Sequence, residues 1–132
     1  MITKELAFIA GRGFGQLIPT FSDERLGRGV WEFKEADALI RLLENGVQWT
    51  DRQDNRVLEV LYSEIIEIES YLTGPRISDA MKASANDFIP MKFVLEQGVS
   101  EVHIPIIVYS AILIEMNSRI KRLGRVVPVR QC

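Results

Sequence analysis

The stretch MKFVLEQGVSEVHIPIIVYSAILIEM, residues 91–116, holds two strand-like patterns followed directly by a helical one. In its first half, apolar and polar residues alternate on either side of Gln97-Gly98, which predicts an antiparallel hairpin. Pro105 suits the first turn of a helix, where its missing N–H costs nothing. Beyond it, apolar residues recur every three or four positions, which is typical of an amphipathic helix. This stripe consists of Tyr109, Leu113, Met116, Ile120 and Leu123.

The predicted end of this helix is marked by Gly124, which fits the left-handed position that often follows the last turn. Basic residues fill that turn, where they complement the negative end of the helix dipole. They are Arg119, Lys121 and Arg122. We therefore expect a carboxy-terminal helix that ends at about Leu123.

Four further strand patterns precede the hairpin, over residues 38–43, 47–51, 56–61 and 63–72. Asn45-Gly46 separates the first two and predicts a tight turn, since both residues tolerate positive φ. We expect a polar turn at 52–55, and a break followed by a loop over 73–87. Trp31 and Trp49 are expected to be core or interface anchors.

The strand predicted over 63–72 alternates in polarity. Its pattern places Ile66, Ile68 and Leu72 on one side, and Glu67 and Glu69 on the other. In the later hairpin, the apolar side of the first strand consists of Met91, Phe93 and Leu95, and that of the second strand consists of Val102, Ile104 and Ile106. On the opposite side of that second strand, Glu101 and His103 point outward.

The amino-terminal 30 residues differ in composition from the rest of the chain, because they contain five of the nine glycines. Within LAFIAGRGFGQLIPTF, residues 6–21, the spacing of Gly11, Gly13 and Gly15 departs from that of a dinucleotide loop, and Pro19 interrupts the helix such a loop requires. We expect an irregular arm with one short strand or helical turn. If the arm packs on the domain, it should bury Phe8, Phe14, Leu17 and Phe21.

The composition is that of one globular domain spanning 1–132, with 47% hydrophobic residues and a formal net charge of −2. Nucleic-acid binding is disfavoured, because such domains carry a basic excess. The single cysteine, Cys132, can form neither an intramolecular disulfide nor a cysteine-based zinc site. We expect no metal and no cofactor. The longest apolar stretch, 104–116, is too short to span a membrane, and we expect a cytoplasmic protein.

Three segments carry a resemblance to a known family: LLENGVQWTD (42–51), VLYSEIIEIES (60–70) and KFVLEQGVSEVHIPI (92–106). They resemble strands of the bacterial pleckstrin-homology-like superfamily, and the resemblance covers residues 32–123. It implies a bent antiparallel sheet, or partly open barrel, closed by one carboxy-terminal amphipathic helix. On this basis residues 1–30 are an arm, 31–123 the pleckstrin-homology-like core and 124–132 a basic tail.

The resemblance also implies a binding or scaffolding module rather than an enzyme. Phosphoinositide-binding members carry clustered bases in the loop between the first two strands. The corresponding segment here reads Lys34-Glu35-Ala36-Asp37, with two acids where bases would hold phosphates. This departure argues against lipid head-group binding.

An acidic set lies within eleven residues and consists of Glu59, Glu64, Glu67 and Glu69. Such a face can steer a basic partner toward the protein. Our first hypothesis is therefore a protein-interaction module, including an inhibitor or immunity-type protein that blocks a basic toxin or nuclease. A solvated face with no partner is the alternative interpretation of the same residues, and homo-oligomerisation is left open.

Two alternative functions use other residues. The basic residues Arg119, Lys121, Arg122, Arg125 and Arg130 could contact an anion or an anionic lipid surface, although such a small patch would attach weakly. His103 is the only histidine, and a small enzyme would have to be built around it, but no nucleophile motif precedes it.

Overall fold

The computed structural model describes residues 1–35, 38–51, 55–72 and 88–132. Within them the α+β class, the mostly antiparallel strands and the carboxy-terminal helix are all confirmed. In chain order the elements are α1 (Lys4–Gly11), β1 (Gln16–Leu17), β2 (Ser22–Asp23), β3 (Gly27–Glu35), β4 (Ala38–Leu43), β5 (Gly46–Asp51), β6 (Arg56–Leu61), a 3₁₀ turn (Tyr62–Glu64), β7 (Ile65–Ser70), β8 (Phe88–Leu95), β9 (Gly98–Pro105), α2 (Ile106–Arg122) and β10 (Val129–Gln131).

The strands form two sheets. The first has the order β1-β3-β4-β5-β6, with β2 also paired to β3, and the second has the order β10-β7-β8-β9. Both are meanders except at β10, which runs parallel to β7. Two predicted segments fall outside the described residues: the loop over 73–87, and the 52–55 turn apart from Asn55.

The predicted hairpin is confirmed, but its turn consists of Glu44 and Asn45, because Gly46 is the first residue of β5. The reason given for the glycine is also wrong. Among the described residues, neither Asn45 nor Gly46 has positive φ. Instead, a Cβ at Gly46 would collide with the Val60 carbonyl and lie 2.6 Å from Leu26 Cδ2. The glycine therefore permits close packing of the turn against β6 and the arm.

The predicted side-chain alternation in β7 is wrong at one position. Ile65 and Ile68 are buried, whereas Ile66 is 49% exposed. The pairing of β7 with β8 shifts register between Ile65 and Glu67, which marks a β-bulge. A bulge inserts one extra residue into a strand, so it turns Ile66 outward and leaves Glu67 and Glu69 on the outer face as predicted.

The α2 helix agrees with the prediction at both ends. Pro105 precedes it, Leu123 is its C-cap, and Gly124 has a φ of +77°. The stripe residues Tyr109, Met116 and Ile120 are fully buried. Leu123 is 46% exposed, because it lies beyond the last helical turn and leaves the stripe.

The main core lies where the two sheets and the two described helices meet. Trp31 and Trp49 belong to it, as expected for core anchors, and so does Tyr62, whose hydroxyl donates to the Leu43 carbonyl at 3.0 Å. Burial raises the pKa of Tyr62. These large side chains connect the first sheet to the 3₁₀ turn that begins the second.

The amino-terminal arm packs on the domain, but mainly through residues other than the predicted ones. Leu6 and Ile9, one helical turn apart on α1, are buried. Phe8 lies on the opposite side of that short helix and is 64% exposed, and Leu17 is 51% exposed. The arm is thus not simply irregular, because residues Lys4–Gly11 form a helix that rests on α2.

The carboxy-terminal segment is part of the second sheet rather than a free tail. Residues Val129–Gln131 pair in parallel with Ile68–Ser70. Arg125 fixes the chain just before this strand by donating to the carbonyls of Tyr62 at 2.7 Å and Ile65 at 2.8 Å. The sequence pattern gives no signal for this three-residue strand.

Candidate interaction surfaces

The outer face of the second sheet carries a row of alternating charges. Arg130, Glu69, Lys92 and Glu101 are direct neighbours in register across β10, β7, β8 and β9. Arg130 Nη2 lies 3.0 Å from Glu69 Oε2, and Lys92 Nζ lies 3.6 Å from Glu101 Oε1. Opposite charges directly across a sheet stabilise it modestly, so this row ties the four strands together.

Tyr71 extends this charged row. Its hydroxyl donates to Glu69 at 3.0 Å, and Lys92 Nζ lies 5.2 Å from the centre of its ring. The Tyr71 hydrogen bond, together with Arg130, holds the pKa of Glu69 below its usual range against the opposing effect of burial. Glu69 is therefore ionised and already engaged within the sheet.

The four predicted acidic residues do not form one face. Glu67 and Glu69 share the outer side of β7, and both lie within 4 Å of Arg130. Glu64 lies in the 3₁₀ turn and pairs with Arg25 at 2.7 Å. Glu59 belongs to the other sheet, where it accepts a hydrogen bond from Gln48 at 2.8 Å.

Glu59 ends a second polar row, which crosses five of the six strands of the first sheet in the order β1-β3-β4-β5-β6. Gln16, Glu32, Arg41, Gln48 and Glu59 are successive neighbours in register. Each neighbouring pair is joined by a side-chain hydrogen bond, including 2.9 Å from Arg41 Nε to Glu32. Burial raises the pKa of Glu32, but the bonds from Arg41 and Gln16 outweigh it and leave that pKa below its usual value.

The predicted basic residues are likewise dispersed. Arg119 is buried and pairs with Glu115 at 2.8 Å, and Arg122 donates to the Met1 carbonyl at 2.6 Å. Arg125 and Arg130 are engaged in the contacts described above. Lys121 is exposed on α2. They therefore do not converge on one surface.

His103 lies outward on β9, as predicted, with Nε2 2.8 Å from Glu101 Oε2. It is half exposed, and Lys92 also pairs with that glutamate. His103 therefore belongs to the charged row of an open sheet face.

An apolar groove runs between α1 and α2, and sequence reasoning did not identify it. Its volume is about 470 Å³. Apolar and small residues line most of it, together with one cation and one anion: Phe8, Ile9, Ile107, Ser110, Ala111, Lys4 and Glu5. Beside it, Ile114 is 41% exposed one turn farther along α2.

This groove follows a helical period that the sequence does contain. Ile107, Ser110, Ala111 and Ile114 recur at the spacing of one helix face. That face is distinct from the buried stripe through Tyr109. The second stripe could have been recognised, but without α1 there was no reason to expect a groove beside it.

Comparison with models of known protein families and with curated proteins gives no match. Within the described ranges, neither helix is long and apolar enough to cross a membrane. In the same part of the chain, no cluster of three or more His, Cys, Asp or Glu side chains is arranged to hold a metal ion.

Proposed function

We propose that this protein is a cytoplasmic, pleckstrin-homology-like interaction module that binds an amphipathic helix of a partner protein in the groove between α1 and α2. The order of its elements supports the fold assignment: a four-stranded meander (β3–β6), a three-stranded meander (β7–β9) and a closing helix. The lone cysteine fits a reducing compartment.

The observation that carries the proposal is the exposed apolar groove itself. Phe8, Ile107 and Ile114 leave large apolar side chains in water along two packed helices. Exposed apolar surface gathered in one concave place is typical of a binding site. A third helix laid into such a groove would bury these side chains through positions spaced three and four apart.

The charge distribution favours an acidic partner helix. Five basic and two acidic residues lie in α1, at Arg12 and in α2, a net charge of +3, whereas the whole chain carries −2. The basic members are Lys4, Arg12, Arg119, Lys121 and Arg122, and the acidic ones are Glu5 and Glu115. Acidic side chains flanking the apolar stripe of a partner would complement this helical layer.

This proposal places the docking surface away from Glu67 and Glu69. Arg130 and Lys92 offset their charges within the sheet, so the outer face of β7 offers little net attraction to a basic partner. A role as inhibitor or immunity-type protein stays a prediction, and it does not require the acidic face.

Two synthetic amphipathic peptides of about five helical turns test the proposal. They share one leucine stripe and carry either glutamate or lysine on the polar face. In ¹⁵N NMR titrations at low salt, we expect the acidic peptide to bind at least about tenfold more tightly and to shift the amides of α1 and α2. Equal affinity for both peptides, or shifts confined to the sheets, would contradict it.

Matched variants locate the contact. Replacing Ile107 and Ile114 together with serine should weaken the acidic peptide by at least about tenfold, because each loses buried apolar area. Ile66→Ser removes a comparably exposed isoleucine from the outer face of β7 and should leave affinity unchanged. If Ile66→Ser weakens binding as much as the double variant, the groove is not the binding site.

A further inference from the structure

A second concavity shares no lining residue with the α1–α2 groove. It has a volume of about 270 Å³ and is formed by the start of the chain, the β1 region, the beginning of β3 and one residue of α2. Ile2, Leu17 and Val30 make its walls largely apolar. Arg28, Glu44 and Arg119 are its charged members.

Arg119 is unusual in this cleft, because its side chain is only 8% exposed. Its Nε donates to Glu115 Oε2 at 2.8 Å, and Glu115 is completely buried. Glu115 also accepts from the backbone N–H and the hydroxyl of Thr3, at 2.8 and 2.9 Å. The carboxylate therefore holds the guanidinium in a fixed orientation.

The Nη donors of Arg119 are not used by Glu115. Among the described residues, its Nη groups make no hydrogen bond. A guanidinium carries five N–H donors in a rigid fork that matches a carboxylate. Since Arg119 is both buried and part of the cleft lining, its Nη donors are available to a group that enters the cleft.

The charges around the cleft favour a single negative group. Glu115 is already matched by Arg119, and Arg28 and Glu44 lie at the exposed rim. Arg28 makes no side-chain hydrogen bond within the described residues. An entering carboxylate would thus meet the buried guanidinium of Arg119 and the exposed one of Arg28, opposed by the single acidic side chain of Glu44.

We infer that this cleft binds a carboxylate attached to a short apolar group, through Arg119 and Arg28. The volume corresponds to about nine groups of the size of a water molecule, which suits a chain of about eight carbons. The same chemistry occurs in a free medium-chain carboxylate and at the carboxyl terminus of a peptide with an apolar last residue. This inference does not depend on the proposed helix-binding groove.

Calorimetric and NMR titration of the full chain with octanoate, N-acetyl-leucine and octanamide tests the inference. We expect one or both carboxylates to bind and octanamide, the neutral analogue of octanoate, to bind at least about tenfold more weakly. The tighter carboxylate identifies the source. Octanamide binding as well as octanoate, or no binding of either carboxylate at millimolar concentration, would overturn the inference.

Three variants separate binding from folding. Arg28→Gln and Glu44→Gln change exposed rim residues, so the fold should persist. Arg28→Gln should lower the affinity for octanoate about tenfold, and Glu44→Gln should raise it a few-fold. Arg119→Lys keeps a cation beside Glu115 but loses the fork. It should lose octanoate binding while its circular dichroism spectrum stays native. Octanoate affinity unchanged in Arg119→Lys, with a native spectrum, would show that Arg119 serves only the buried ion pair.

Discussion

Three glycines of the arm differ in how much room they leave for a side chain, so alanine substitutions there test how closely the arm packs on the first sheet. Gly15 has a φ of +83°, and a Cβ there would collide with the indole nitrogen of Trp31 and lie 2.6 Å from the Glu32 carbonyl oxygen. Gly13 has a φ of +90° with open space around it. Gly11 has open space and an ordinary φ at the end of α1.

The three alanine substitutions should therefore differ in size. A left-handed backbone costs a residue with a Cβ about 1–2 kcal/mol, and Gly13→Ala should lose about that much stability. Gly15→Ala should lose a further amount of about 1–3 kcal/mol of stability, the usual cost of overpacking. It should also break the hydrogen bond from Trp31 Nε1 to the Phe14 carbonyl, which contributes about 1 kcal/mol. We expect a total loss of about 4 kcal/mol. Gly11→Ala should be neutral or stabilising by up to about 1 kcal/mol.

Urea unfolding followed by far-ultraviolet circular dichroism measures all three variants without relying on Trp31 fluorescence. The slope of the free energy against urea must stay constant for the comparison to hold. The difference between Gly15→Ala and Gly13→Ala isolates the close approach to Trp31. If these two variants unfold within about 0.5 kcal/mol of each other, the arm does not cross Trp31 as the structure shows.

Three further predictions concern the polar contacts. Because the pKa of Glu32 is depressed in the folded protein, its stabilisation is present above the ordinary glutamate pKa of about 4.3 and is lost as pH falls through the folded value; Glu32→Gln should flatten the acid limb of stability against pH, and Arg41→Gln should flatten it too, because it removes the cation that depresses the folded pKa. Thr3→Val removes the N-cap of α1 and a hydrogen bond to buried Glu115, so urea unfolding should show a loss of about 1–2 kcal/mol; an unchanged midpoint would mean that α1 is not anchored there. Arg125→Ala removes the two hydrogen bonds that hold the chain just before β10, and amide exchange in β10 should accelerate about tenfold relative to β8; equal protection would contradict the anchoring role.

How far the sequence could predict the charged rows depends on how many positions separate the paired residues along the chain. Counting outward from Gln97-Gly98 would pair Lys92 with His103, whereas the structure turns one residue earlier and pairs Lys92 with Glu101. In the same way, counting from Asn45-Gly46 would pair Arg41 with Thr50, whereas the structure pairs it with Gln48. A shift of two residues keeps each side chain on its face, so the hairpins and their polar faces could be derived from the pattern, but the direct neighbours could not.

The contacts that link distant segments could not be derived in this way. The pairing of β10 with β7 joins residues about sixty positions apart, and a three-residue strand has no hydrophobic period to reveal it. The bulge at Ile66 depends on how β7 meets β8, which no local pattern records. For this reason the sequence correctly placed Glu67 and Glu69 on one face but missed that Arg130 pairs with both of them.

For this reason the proposed interaction surface has the opposite polarity to the one expected from the sequence. Net charge and a run of glutamates suggest an acidic protein that attracts bases, but strand pairing sets Glu69 directly beside Arg130 and Lys92. Among the described residues, two of the exposed cations of the helical layer, Lys4 and Lys121, form no ion pair. Charges that cancel within a sheet exert little field at a distance, because opposite neighbours screen one another. The field an approaching partner meets at the helices is therefore positive, although the chain as a whole is acidic.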